Sequence, residues 1–101
     1  MLEQLHKESF SDCLHQAFHV VQRGSQAFDL QLAEVTEVTK SARQEAFSVI
    51  FHGPDDPFMQ QGMVHLHNEK LGDLDLFLVP IGRDRDGFQY EAVFNRLIPA
   101  A

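Results

Sequence analysis

Cysteine occurs once, tryptophan not at all, and Lys and Arg together number eight against fifteen Asp and Glu. A lone Cys13 excludes an intrachain disulfide and any CxxC metal site. Its helical spacing among apolar residues marks it as a buried thiol rather than a nucleophile. The shortage of bases gives a formal charge of −7, spread as −3 over residues 1–50 and −4 over 51–101. With no cluster of Lys or Arg to meet a phosphate backbone, neither nucleic acid nor an anionic membrane is an expected partner. Long hydrophobic runs are missing too: the longest uncharged apolar stretch, Leu76 to Gly82, falls far short of the roughly 20 residues a spanning helix needs. The opening residues Met1 to Lys7 lack the basic and apolar regions of a secretory signal, so a cytoplasmic, unprocessed chain is expected. All six glycines are isolated, which removes Gly-rich phosphate loops and the nucleophile elbow.

What remains is the composition of an ordinary globular domain. The 101 residues, 44% apolar and 23% charged, suit one domain spanning 1–101. Phe10, Leu14 and Phe18 recur at i, i+4 and i+8 beside Cys13 and Ala17, predicting one short amphipathic helix that starts near Lys7–Ser9 and ends near Gln16. Ser9 with Asp12 reads as a weakened capping box, and Leu2 and Leu5 as the staple beneath it.

From residue 18 onward the period falls to two. Phe18, Val20 and Gln22 share one face of a first strand that stops at Arg23-Gly24-Ser25. Phe28, Leu30 and Leu32 alternate until the phase slips to Val35, which places a bulge near Ala33-Glu34. Phe47, Val49 and Phe51 follow, ending at Gly53-Pro54; then Val64 and Leu66; then Leu74, Leu76 and Leu78; then Phe88, Tyr90, Ala92 and Phe94. Short connections favour antiparallel neighbours, because a parallel return needs about a dozen residues or more. The expected fold is mainly β: an antiparallel meander of about six strands closing into a small barrel or sandwich, with one short N-terminal helix. The fifth strand carries Phe77 and Val79 opposite its leucines, and a symmetric homodimer is the expected cover for that face.

The stretches Gln61-Gly62-Met63-Val64-His65-Leu66-His67, Leu71-Gly72-Asp73-Leu74-Asp75-Leu76-Phe77-Leu78-Val79-Pro80-Ile81-Gly82 and Tyr90-Glu91-Ala92-Val93-Phe94-Asn95 resemble a family of small bacterial proteins known only as a domain of unknown function. Leu2-Glu3-Gln4-Leu5, Glu8-Ser9-Phe10, Phe47-Ser48 and Gly53-Pro54 extend the resemblance over nearly the whole chain, with Val64 standing where an aromatic residue is expected. The resemblance carries no catalytic residues. It implies an accessory of a larger bacterial or phage-tail-like assembly.

Three patterns invite chemistry. His65 and His67 put two imidazoles on one face of a strand, as a barrel metal site would, but Leu71 and Gly72 occupy the positions where a further carboxylate ligand would follow. With Val64 and Leu66 facing inward, both histidines are expected in solvent, and neither metal nor cofactor is expected. Asp84-Arg85-Asp86-Gly87 resembles part of a calcium loop without its remaining ligands, and reads as a hairpin turn. The loop Gly53 to Gly62 offers Phe58 and Met59 beside Asp55 and Asp56, read either as a plug in which Phe58 folds over one barrel end or as an apolar tip that docks into a protein partner. Since no nucleophile, base and orienting group fall together, the expected function is a non-enzymatic structural or protein-interaction domain. The alternative is a small-molecule-binding β-barrel or barrel enzyme using its interior, with Tyr90, His65 and His67 as polar groups.

Overall fold

The computed structural model describes residues 7–21, 28–40, 44–55 and 58–97. Its elements are α1 (Lys7–Ser11), β1 (Ala17–Val20), β2 (Phe28–Lys40), β3 (Gln44–Gly53), β4 (Gly62–Asn68), β5 (Gly72–Asp84) and β6 (Gly87–Leu97). The strands pair antiparallel and close into a barrel in the order β1-β2-β3-β6-β5-β4. This is the mainly β, antiparallel barrel with one short helix that the period-two runs predict. The alternation works as expected: Phe18, Leu30, Leu32, Phe47, Val49, Phe51, Leu66 and Tyr90 are inside and essentially without solvent contact. Burying a large apolar side chain in this way contributes about 1.5–3 kcal/mol.

The strand order adds what periodicity cannot carry. β3 and β4 follow each other in the chain but are not neighbours in the ring. The ring therefore consists of two three-stranded meanders, β1-β2-β3 and β4-β5-β6, joined by the β1–β4 and β3–β6 ladders. Each middle strand is 13 residues long because it changes partners. β2 leaves β1 at Gln31 and continues along β3, with a register shift between Leu32 and Glu34, where the apolar phase slips. β5 pairs with β4 as far as Leu78 and with β6 from Val79, shifting register between Pro80 and Gly82. Pro80, lacking an N–H, sits at this bend, where a missing ladder bond costs least.

The helix is shorter than its sequence pattern. It ends at Ser11, and the chain then turns through the three-residue bonds Cys13 N–H to Phe10 O, Leu14 N–H to Ser11 O and Gln16 N–H to Cys13 O. His15, at φ 70°, reverses direction so that its N–H reaches Leu32 O at 2.7 Å. Phe10 and Cys13 are thus buried at i and i+3, whereas Leu14, predicted on the same stripe, is exposed. The i+8 member of that stripe, Phe18, is buried from β1 instead. Since α1 starts by Lys7, Ser9 lies within its first turn rather than capping it. The staple of Leu2 and Leu5, the position of Gln22 and the stop at Arg23-Gly24-Ser25 lie outside the described residues.

Both ends of the barrel are plugged. At the α1 end Phe10 packs on Phe94 and Phe47 with ring centroids 5.1 and 6.0 Å away, while Phe47 and Phe94 stack at 4.8 Å. Beside it Asn68, fully buried, accepts the N–H groups of Lys70 and Leu71 and donates to Ala17 O, tying the β4–β5 turn to β1. Cys13 is buried there, as expected, and burial pushes its thiol pKa up.

Candidate interaction surface

The Gly53–Gly62 loop divides its two apolar residues. Met59 is 6% exposed and turns into the barrel, its N–H donating to the phenol oxygen of the buried Tyr90 at 3.0 Å. Phe58 stays 48% exposed, lying on Phe88 at 4.6 Å between ring centroids and 6.5 Å from Tyr90. The plug is therefore Met59 rather than Phe58, because the barrel end is lined by Tyr90, which offers a hydrogen-bond acceptor to a backbone passing directly overhead. Asp55 is exposed and receives a bidentate grip from Arg83, with Nε and Nη2 at 2.9 and 3.1 Å from its two oxygens. Arg83 in turn lies over the Phe88 ring at 5.4 Å. Asp56 lies outside the described residues. The Tyr90 hydroxyl accepts a bond in this closure, and His65 and His67 face away from the interior.

Both histidines point to solvent, each against the carboxylate directly opposite on β5. His65 Nδ1 lies 2.6 Å from Asp75 Oδ1 and His67 Nδ1 2.8 Å from Asp73 Oδ1. His19 on β1 does the same with Asp29 on β2, at 2.6 Å. Since His19 also faces His67 across the β1–β4 ladder, with rings stacked at 6.3 Å, one row Asp29-His19-His67-Asp73 runs over four strands. The His67 hydrogen bond holds the Asp73 carboxyl below its ordinary value. Among the described residues no group of three or more His, Cys, Asp or Glu is placed to hold a metal ion. The sequence pair His65/His67 hides the structural pairing, which is across strands and with aspartates.

Two adjoining open grooves, of about 450 and 590 Å³, share His15, Gln31, His52 and Asp86, and the first reaches Leu30 and Gly53 between the start of β2 and the end of β3. His52 Nε2 meets Asp84 Oδ1 at 3.2 Å. The same Asp84 oxygen accepts the N–H groups of Asp86 and Gly87 at 2.8 and 3.0 Å, so Asp84 is the cap of the β5–β6 hairpin, which is the turn expected for Asp84-Arg85-Asp86-Gly87. These bonds, His52 foremost, hold its carboxyl below the ordinary value. The polar lining of the grooves consists of imidazoles, carboxylates and amides, a set that binds and orients but carries no activated nucleophile.

The remaining surface feature is apolar. Met63, Phe77 and Val93 are 64%, 48% and 64% exposed and stand together on the outer face of β4, β5 and β6. Met63 and Phe77 are register partners, and Val93 faces them across a shallow cleft of about 240 Å³ whose lining includes the core residues Leu76 and Ala92. The cleft exists because no ladder pair joins β5 before Val79 to β6 beyond Glu91. Phe77 is flagged by alternation as needing cover; Met63 and Val93 are not, since each sits at an ordinary outward position and only the parting of β5 from β6 assembles them.

Two comparisons with known proteins return nothing: no curated protein and no solved structure matches the chain. A third finds a family described as a domain of unknown function, DUF6916, matching residues 5–94.

Proposed function

We propose, from the premise that the chain belongs to the DUF6916 family of domains of unknown function, that it is a non-enzymatic protein-interaction domain. The observation that carries this reading is the exposed strip of Met63, Phe77 and Val93 beside a barrel whose interior is already filled. Three large apolar side chains exposed side by side are costly in water and are characteristic of a binding site. The ligand-binding alternative needs an interior space of several hundred Å³. Against it stand the core, in which Phe47 and Phe51 are fully buried and against which Phe28, Phe88 and Phe94 pack, and the open position of the grooves.

In the finer reading the domain is a cytoplasmic accessory of a larger bacterial or phage-tail-like assembly, and this rests on the family resemblance. No helix among the described residues is long and apolar enough to cross a membrane. Affinity capture from the native cell with the natural chain and with Phe77→Glu tests the interaction reading. A discrete partner retained by the first and lost by the second is the expected result. Identical captures by both would remove the strip as a binding surface, and a small molecule bound within the barrel interior would favour the alternative.

A further inference from the structure

The cleft beside Met63, Phe77 and Val93 is bordered by backbone as well as side chains. β6 from Ala92 to Leu97 pairs only with β3, and β5 from Gly72 to Leu78 pairs only with β4. In an antiparallel ladder every second residue directs its N–H and C=O to each side, so both strands turn donors and acceptors without a ladder partner toward the space between them. No ladder pair between the two strands takes up these groups. A globular apolar surface would cover Phe77 and Val93 but leave that row unpaired. An extended strand satisfies both at once, with alternate side chains entering the cleft over Leu76 and Ala92.

Charge selects the kind of strand. Asp75 lines the cleft, Asp73 precedes it on β5 and Glu91 closes its upper end, within a chain of net charge −7. A second copy would bring the same carboxylates and the same net charge to the same place, whereas Lys or Arg side chains would complement them. We propose that the split between β5 and β6 receives an extended segment of another protein, alternating apolar and basic side chains, that adds to the free edge of β6 beyond Glu91. This inference rests on the interaction reading above and names the chemistry of the partner.

The probe is an octapeptide of alternating valine and lysine, capped at both ends, titrated into the isotope-labelled full chain. Amide shifts confined to residues 74–78 and 92–97 are expected. Methylating two alternate backbone nitrogens of the peptide should weaken binding by at least about tenfold, because it removes donors while keeping charge and apolar area. Val93→Lys should weaken it comparably with an unchanged thermal midpoint, since Val93 is a solvent-facing position. A valine–glutamate octapeptide should not bind. Equal affinity of the methylated peptide, shifts centred on the His15–His52 grooves, or no binding at millimolar peptide would each overturn strand addition. So would sedimentation of the free chain as a dimer that Val93→Lys dissociates, which would assign the cleft to a second copy. If strand addition fails while Phe77→Glu still abolishes partner capture, the interaction reading stands without it. Capture indifferent to Phe77→Glu would remove both.

Discussion

The two meanders solve the same problem with different materials. In each, the segment preceding the first strand folds over a barrel end and is tied to the middle strand by an ion pair: Lys7 to Glu37 on β2, and Asp55 to Arg83 on β5. In each, a middle strand of 13 residues bends at a register shift and changes neighbours. The first half closes its end with a short helix and a trio of phenylalanine rings, Phe10, Phe47 and Phe94. The second closes with one methionine held by one hydrogen bond to Tyr90. The partner exchange differs too. Gln31 of β2 is paired on both sides, with Ala17 and His52, so the two ladders of the first meander share a residue, and the groove of about 450 Å³ opens only where Phe28 to Leu30 run past the last β3 pair. No residue of β5 has both neighbours, and the second meander parts there. Closure and opening are thus local properties of how far two ladders overlap on a shared strand, not of the fold as a whole.

The contrast between the two plugs yields the largest expected effect. Phe10→Ala should cost about 3–5 kcal/mol, because three rings enclose a space that cannot collapse, and Met59→Ala about 2 kcal/mol, because its loop can settle onto Tyr90. Urea unfolding of the two variants measures the difference, and equal losses would show that both ends are packed alike.

The hairpins of the second half come next. Gly87, at φ 150°, lies so close to Gly53 O and the Pro54 carbonyl carbon that a Cβ cannot fit. Gly72, at φ 79°, has open space around it and only backbone strain to pay. Gly87→Ala should therefore be destabilising by more than about 2 kcal/mol and Gly72→Ala by about 1 kcal/mol. Matching thermal midpoints for the two would remove the close approach of the β5–β6 turn to the end of β3 as a structural constraint.

Tyr90→Phe sharpens the account of the second plug. The variant keeps the ring and leaves the Met59 N–H without its acceptor, which should cost about 1–2 kcal/mol and speed hydrogen exchange at Met59 selectively. A silent substitution would mean that side-chain packing alone holds the loop.

The smallest effect is electrostatic and belongs to β5. Asp73 and Asp84 both have carboxyls held below their ordinary value, by His67 and His52 respectively. A depressed carboxylate contributes stability above its unfolded pKa and loses it as pH falls through the folded one, so the loss begins below about pH 4. Both groups are solvent-facing and the contribution is small. Asp84→Asn should flatten the acid limb of the stability profile more than Asp73→Asn, since Asp84 also accepts the Asp86 and Gly87 N–H groups. The reverse order would place the main acid-sensitive contact in the His–Asp row.

The candidate surface was only half legible in the chain. Phe77 stands out from the sequence because it opposes three leucines in one strand, and the outward setting of His65 and His67 follows from the inward setting of Val64 and Leu66. Phe58 and Met59, adjacent and alike in character, cannot be told apart by pattern. Which of them enters the barrel depends on where Tyr90 places its hydroxyl, a residue 31 positions from Met59. The short helix misled for a similar reason: the Phe10-Leu14-Phe18 spacing is helical, but two of its three members are buried from different elements.

The sequence by itself determined that the protein is mainly β, where each strand lies, which of its faces is buried and where β2 bends. Those properties depend on the alternation of neighbouring side chains, and alternation is local. Only the tertiary structure decided that β3 and β4 stand apart, that His19 meets His67, that Met59 rather than Phe58 closes the barrel, and that β5 parts from β6. Each of these depends on which residues distant in the chain pair and which do not. Register across strands is fixed by the competition of whole ladders for shared neighbours, which no single segment of sequence records.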